Sequence, residues 1–229
     1  MTRALFLALA LLAGCGEDIA TTTQALGGCD TTDAGPPPDA PVRSMVAYGD
    51  SIIWGQGASV PSLAVVPLMR LTYPGTITLD AAQGRALTED PTALARISAI
   101  NATEYWLEIG ANDYRHGNFV PSVFAAAYAA LVDGIHVAHP RARIYCQTML
   151  WLVSRGANRL GFTAQQYRDS IRSTCSYTAR SWATLVEGIR TLYTPAVLDE
   201  TGLDQVDGTH PNDRGHAKYA AWIRSQVVW

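Results

Sequence analysis

The chain has 229 residues, enough for one domain with an extension. Hydrophobic residues make up 48% and charged residues 16%, which fits a globular protein with a sizeable core. The formal net charge is −3 and no basic stripe is visible, which argues against a nucleic-acid partner.

The chain opens on an export signal, with Arg3 ahead of the apolar run Ala4 to Ala13, too short to span a bilayer as a helix. Leu12-Ala13-Gly14-Cys15 resembles the lipobox of bacterial lipoproteins. That resemblance implies cleavage before Cys15, lipidation of this cysteine and anchoring in the bacterial cell envelope. An ordinary secretory signal, with a secreted product, is the alternative. Residues 1–14 are lost in either case. Residues 15–42 read as a disordered tether, rich in Thr, Gly, Asp and Pro and carrying Gly35-Pro36-Pro37-Pro38. Such a segment cannot bury enough apolar surface to order itself, and its prolines stiffen it. Residues 43–229 form the expected domain.

Within the domain, strands alternate with helices. Met45–Tyr48 is the first expected strand and Ile77–Leu79 the second; Thr92–Ile100 reads as a short helix and Tyr105–Ile109 as the third strand. Pro121–Ala138 is a strong helix, with Val123, Ala127, Ala130, Leu131 and Ile135 at helical spacing and Pro121 suited to its first turn. Arg143–Leu150 is the fourth strand and Thr163–Trp182 a helix opened by a Thr163/Gln166 capping box. Thr184–Ile189 is a weak fifth strand and Asn212–Val228 the closing helix. This alternation argues a parallel five-stranded sheet with helices on both faces, a three-layer α/β sandwich whose site forms at the carboxyl ends of the strands.

Chemistry-bearing residues follow those strand ends. Tyr48-Gly49-Asp50-Ser51 breaks the first strand and opens a helix, so Ser51 sits where backbone N–H groups lack intrahelical partners and favour negative charge. There Ser51 can be a nucleophile, or simply a helix N-cap. Asp207-Gly208-Thr209-His210-Pro211 puts a carboxylate three residues before an imidazole, the base and orienting group that a serine nucleophile needs. Gly84 and Asn112 are candidate oxyanion donors. Asp50 reads as a turn-forming residue, Asp113 as an organiser of its loop, and His216 as a surface residue of the last helix. Trp106 belongs to the core. Trp54 and Trp151, just past strand ends, are candidates for substrate contact.

Other motifs fail. Gly55-Gln56-Gly57 lacks the third glycine of a dinucleotide loop, and neither a phosphate-binding G-x-x-x-x-G-K nor a G-x-S-x-G elbow is present. His136 and His139 share a helix edge without a ligand cluster, so no metal site is expected. With Cys15 lipidated, three cysteines remain, and an exported protein permits a disulfide. Cys146 in a strand and Cys175 in the helix that should pack nearby are the better pair; Cys29 lies in the tether.

Four blocks in order, Gly49-Asp50-Ser51, Gly84, Gly110-x-Asn112-Asp113 and Asp207-x-x-His210-Pro211, resemble the SGNH hydrolases, also called the GDSL family of lipases and esterases. The resemblance spans residues 43–229. One departure is Ile53, where many members carry a small polar residue; it falls outside the triad and bears on packing. The resemblance implies a flavodoxin-like fold, a Ser51–His210–Asp207 triad, and an oxyanion hole formed by the Ser51 and Gly84 N–H groups and the Asn112 amide. It implies no metal and no cofactor. The expected activity is hydrolysis of short-chain acyl esters, with acetyl groups on polysaccharide as one candidate substrate. Acyl transfer by the same residues is the alternative. A surface carbohydrate-binding module without catalysis is disfavoured by the intact triad.

Overall fold

The computed structural model describes residues 42–150, 156–176, 178–186 and 204–227. The signal, the tether up to residue 41 with Cys15 and Cys29, and Trp151 lie outside the described residues.

Five strands form one parallel sheet: β1 (Arg43–Gly49), β2 (Gly75–Ala81), β3 (Glu104–Glu108), β4 (Arg143–Gln147) and β5 (Ala183–Val186), in the order β2-β1-β3-β4-β5. Alternate residues along a strand face opposite sides of the sheet. Val46, Tyr48, Tyr105, Leu107 and Ile144 pack one core beneath α3 (Ala93–Ser98), α5 (Pro121–Ala138) and α6 (Ala164–Cys175). Met45, Ala47, Trp106 and Tyr145 pack the other beneath α1 (Ser51–Trp54), α2 (Val65–Arg70) and α7 (Asp213–Gln226). The result is the expected three-layer α/β sandwich with flavodoxin-like strand order. The order reverses at β1, between β2 and β3, so the carboxyl ends of those three strands border the natural crevice.

The helix predicted over 163–182 is shorter. It stops at Cys175, where Ser176 turns to an extended conformation and its carbonyl accepts the N–H groups of Ala179 and Arg180, letting β5 begin at Ala183. Its N-terminal box is present, with Thr163 N–H donating to Gln166 Oε1 at 2.8 Å. In α5 the buried stripe is Phe124, Tyr128, Leu131, Val132 and Ile135, whereas Val123 faces solvent. In an alanine-rich helix the ambiguity is resolved by ring size, since more apolar area leaves water, at roughly 25 cal/mol per Å². Two helices have no counterpart in the sequence reading. α2 contains Pro67, tolerated because it falls in the first turn, where N–H groups have no intrahelical partner. The other, α4 (Ala111–His116), starts directly after β3.

Trp106 is buried, as is Ile53, which packs in the core under α1. Cys146 of β4 and Cys175 of α6 are joined by a disulfide with a Cα–Cα distance of 6.3 Å.

Candidate active site

The site is assembled from the ends of three adjacent strands and one distant loop. β1 runs into α1 through Asp50, whose Oδ1 accepts the Ile52 N–H at 3.0 Å and caps the helix. Asp50 therefore does the turn-forming work expected of it, and Ser51 is the first helical residue, not the cap. Ser51 Oγ lies 2.9 Å from His210 Nε2, and His210 Nδ1 lies 2.7 Å from Asp207 Oδ2. Serine and imidazole are buried, whereas the Asp207 side chain is 49% exposed.

The turn carrying His210 is held by its own carboxylate. Asp207 Oδ1 accepts the N–H groups of Thr209, at 3.0 Å, and of His210, at 2.9 Å, while Oδ2 faces the ring. Three-residue spacing thus lets one side chain both shape the loop and orient the imidazole. Burial pushes the Asp207 carboxyl up, but the hydrogen bonds and charge of His210 outweigh it and hold the group below its usual range. Gly57 lets the loop after α1 approach this turn: a Cβ there would come within 2.2 Å of the Pro211 carbonyl oxygen.

Gly84, in the loop after β2, has φ +72° with open space where a side chain would project. Asn112, in the first turn of α4, donates from Nδ2 to the Arg85 carbonyl at 3.1 Å, which fixes the amide beside that loop. Because β2 and β3 flank β1, Gly84 and Asn112 come from the two strand ends that border Ser51. Asp113 stitches the same two segments together: its carboxylate accepts the N–H groups of Leu87 and Thr88 at 2.9 Å and the Thr88 hydroxyl at 2.7 Å. It organises its loop, as expected.

Three features escaped the sequence reading. Arg85 donates from Nη1 to Asp80 Oδ1 and to the Asp80 carbonyl, both at 2.7 Å, and its guanidinium lies 5.1 Å from the Tyr48 ring centroid, so it pins the loop that bears Gly84. Its place beside Gly84 was the available signal. His216 is fully buried, not on the surface, with Nε2 donating to the Gln56 carbonyl at 3.2 Å; burial lowers its pKa and keeps it neutral. Glu108, a lone acid in the apolar run Tyr105-Trp106-Leu107, is fully buried beneath the Asp50 turn. Trp54 is 52% exposed at the end of α1. His136 stacks on Trp182 with ring centroids 3.9 Å apart, which accounts for it without a metal. Among the described residues no group of His, Cys, Asp and Glu is arranged to hold a metal ion.

This constellation, a serine at a strand-to-helix turn backed by an imidazole and a carboxylate, is the arrangement that activates a hydroxyl for attack on an acyl carbon. None of the curated proteins compared with the chain matches it. Solved structures with similar folds include the salicylyl-acyltransferase SsfX3 from a tetracycline biosynthetic pathway, at 21% identity and a TM-score of 0.68. That alignment takes in 82% of this chain and only 55% of the acyltransferase. The psychrotrophic esterase EstA from Pseudoalteromonas sp. aligns at 16% identity and a TM-score of 0.62, over 80% of this chain and 96% of that one. A carbohydrate esterase family 2 enzyme with a carbohydrate-binding domain, from Corynascus thermopiles (Myceliophthora fergusii), aligns at 16% identity and a TM-score of 0.60, over 85% of this chain and 69% of that one. The model of the GDSL-like Lipase/Acylhydrolase family matches residues 47–218, well over half of the sequence. The chain belongs to that family and is an SGNH-type hydrolase.

Proposed function

We propose that the protein is a serine esterase that cleaves short-chain acyl esters through an acyl-enzyme. The observation that carries this reading is the continuous Ser51–His210–Asp207 contact, 2.9 Å and then 2.7 Å. Ser51 Oγ attacks the ester carbonyl carbon as its proton passes to His210 Nε2. Asp207 holds the ring at Nδ1 and stabilises the imidazolium. The tetrahedral oxyanion is held by the N–H groups of Ser51 and Gly84 and by the Asn112 amide. His210 returns its proton to the leaving alcohol as the C–O bond breaks. A water then gives its proton to His210, attacks the acyl carbon and releases the carboxylic acid and free Ser51. These steps need neither metal nor cofactor.

Acetyl groups on polysaccharide are the favoured substrate class. The exposed Trp54 ring, three residues after Ser51 in α1, is a surface on which a sugar can stack, and one structural neighbour is a carbohydrate esterase. Trp151 is proposed as a second contact. A panel of p-nitrophenyl esters of rising chain length, run beside acetylated xylan, tests this; fastest turnover of long acyl chains and no acetate from xylan would refute it. The second reading is acyl transfer, favoured by the likeness to an acyltransferase. An acceptor alcohol that yields new ester faster than free acid would establish it.

We further propose that residues 1–14 are removed, that Cys15 is lipidated and that residues 15–42 tether the domain to a bacterial cell envelope. A single acyl chain binds membranes weakly, so more than one is needed for stable anchoring. Cys15→Ser should move the protein out of the membrane fraction, and an unchanged distribution would rule the anchor out.

A further inference from the structure

Among the described residues, four buried polar atoms beneath the nucleophile turn have no hydrogen-bond partner within 3.5 Å: Asp50 Oδ2, both carboxyl oxygens of Glu108, and Gln147 Nε2. All three residues are fully buried. The strands bring them together. Gly49 of β1 pairs with Glu108 of β3, and Glu108 pairs with Gln147 of β4, so the three residues occupy neighbouring positions at the carboxyl end of the sheet. The outer atoms of the group are tied down. Asp50 Oδ1 accepts the Ile52 N–H, and Gln147 Oε1 accepts Trp106 Nε1–H at 2.9 Å.

Donors and acceptors can be counted against one another. With both carboxyls ionised, the only donors facing these oxygens are the Gln147 amide and the Leu150 backbone N–H on the Glu108 side, and no proton lies between Glu108 and Asp50 Oδ2. One added proton on Glu108 supplies the donor that Asp50 Oδ2 lacks and leaves the other Glu108 oxygen to accept from the amide. A buried polar group left without a partner is costly, and more so if charged, so the protonated arrangement is preferred.

We propose that Glu108 is a positioning residue that works as a neutral carboxylic acid, donating its O–H to the Asp50 carboxylate and accepting from the Gln147 amide. The chain then runs from Trp106 through Gln147, Glu108 and Asp50 to the N-terminus of α1, where Ser51 sits. The electrostatic surroundings agree. Burial pushes the Glu108 carboxyl well above its usual range and the Asp50 charge adds to this, with the backbone N–H of Leu150 pulling the other way. Burial also raises Asp50; Asp113 of α4 adds to that, whereas Arg115 of α4 and Arg85 of the β2 loop oppose it. Tyr128 of α5 is raised by burial and by Glu108. Tyr219 of α7 packs edge-on against Trp106 on the same face of the sheet as Glu108.

The positioning role rests on the proposed esterase reading, but the proton does not, so the two are tested separately. Infrared spectra of the folded protein at pH 8 should show the carbonyl stretch of a buried neutral carboxylic acid, and E108Q should lose it. A group whose folded pKa is raised favours folding less as pH climbs from its unfolded to its folded value. The melting temperature of the parent should therefore fall between pH 5 and pH 9 more than that of E108Q, whose amide supplies the same donor and acceptor without titrating. On esters, E108Q should keep kcat near the parent value at pH 7 and lack the alkaline decline that ionisation of Glu108 brings. Glu108→Ala should lose roughly 100-fold in kcat with KM little changed, as expected for a displaced nucleophile. A parent spectrum without the acid band at pH 8, or melting curves of parent and E108Q that track each other from pH 5 to pH 9, would overturn the shared proton. With the proton present, an E108Q enzyme as slow as Glu108→Ala would overturn the positioning role.

Discussion

The two halves of the site are held in opposite ways. The nucleophile side stands on the sheet: Ser51, the Gly84 loop and Asn112 follow three adjacent strands, Asp50 caps the turn that carries Ser51, and Arg85 and Asp113 tie neighbouring segments together, Arg85 donating to the Gly49 carbonyl at 3.4 Å and Asp113 accepting the Leu87 and Thr88 N–H groups. The base side stands on a turn. Among the described residues Asp207 reaches only Thr209 and His210 of its own loop, and the turn is closed by Val206 N–H donating to the His210 carbonyl at 3.0 Å and by the Gln205–Pro211 bridge. Ser51 and His210 are both almost covered, but Asp207 is half in solvent. The base side is thus local and depends on one carboxylate, whereas the nucleophile side is redundant and core-supported. Damage to chemistry and damage to folding should separate along that line.

Ser51→Ala is the largest break. Removing a triad serine costs about a million-fold in kcat, and adding His210→Ala should cost almost nothing more if the residues act as a unit. The hydroxyl adds little to the core, so the melting temperature should stay within a few degrees of the parent. A Ser51→Ala protein that melts normally and keeps its esterase activity would reduce Ser51 to a member of a structural turn. Asp207→Ala comes next, at roughly 10⁴-fold, because His210 can still act without orientation or a charged partner. It should also loosen the 204–212 turn, since two backbone N–H groups lose their acceptor, and Asp207→Asn should restore the turn more than the rate. The Asp207 carboxyl titrates below its usual value, so its contribution to stability is complete above the unfolded pKa and is lost as pH falls through the folded one. Melting curves of parent and Asp207→Asn should therefore draw together in strong acid.

The same division explains what could be read from the sequence. What is spelled locally was legible: the Gly49-Asp50-Ser51 turn, the Asp207/His210 spacing, and the places of Gly84 and Asn112 just past strands. The parallel sheet with helices on both faces followed from alternation, whereas the strand order is seen only in the structure. Burial that depends on a distant partner was not legible. His216 sits on the outer-looking stretch of a polar helix, and only contact with the loop after α1 turns it inward. Of the expected α5 stripe Leu131 and Ile135 are buried, but Val123 faces solvent, because alanines satisfy several faces at once. Glu108 reads as an ordinary polar residue in a strand until the pairing with Gly49 and Gln147 is known.

Asn112→Ala tests whether the nucleophile side tolerates loss of a catalytic group without loss of support. One oxyanion donor is worth about 100- to 1,000-fold in kcat, with a smaller change in KM because the contact is completed only in the transition state. Asp113 would still hold α4 to the Leu87–Thr88 segment, so stability should change little. A loss confined to KM would make Asn112 a binding residue and leave the Ser51 and Gly84 N–H groups as the oxyanion donors.

The smallest effect on rate, and the largest on stability, should come from the Cys146–Cys175 disulfide. It lies in the core beneath α5 and α6, on the sheet face opposite α1, and joins cysteines 29 residues apart. The chain-entropy model values closure of such a loop at roughly 3–4 kcal/mol. For a domain of this size that is about 10 °C in melting temperature. Replacing both cysteines with alanine should lower the melting point by about that much, while kcat at 25 °C changes less than about twofold, because β4 contributes no triad or oxyanion residue. Mass mapping of the non-reduced parent provides the check on the bond itself. If the double variant melts with the parent, the bridge does not stabilise the fold. If it melts lower and also loses kcat in proportion, the two halves of the site are coupled through β4, and the division between chemistry and core support fails there.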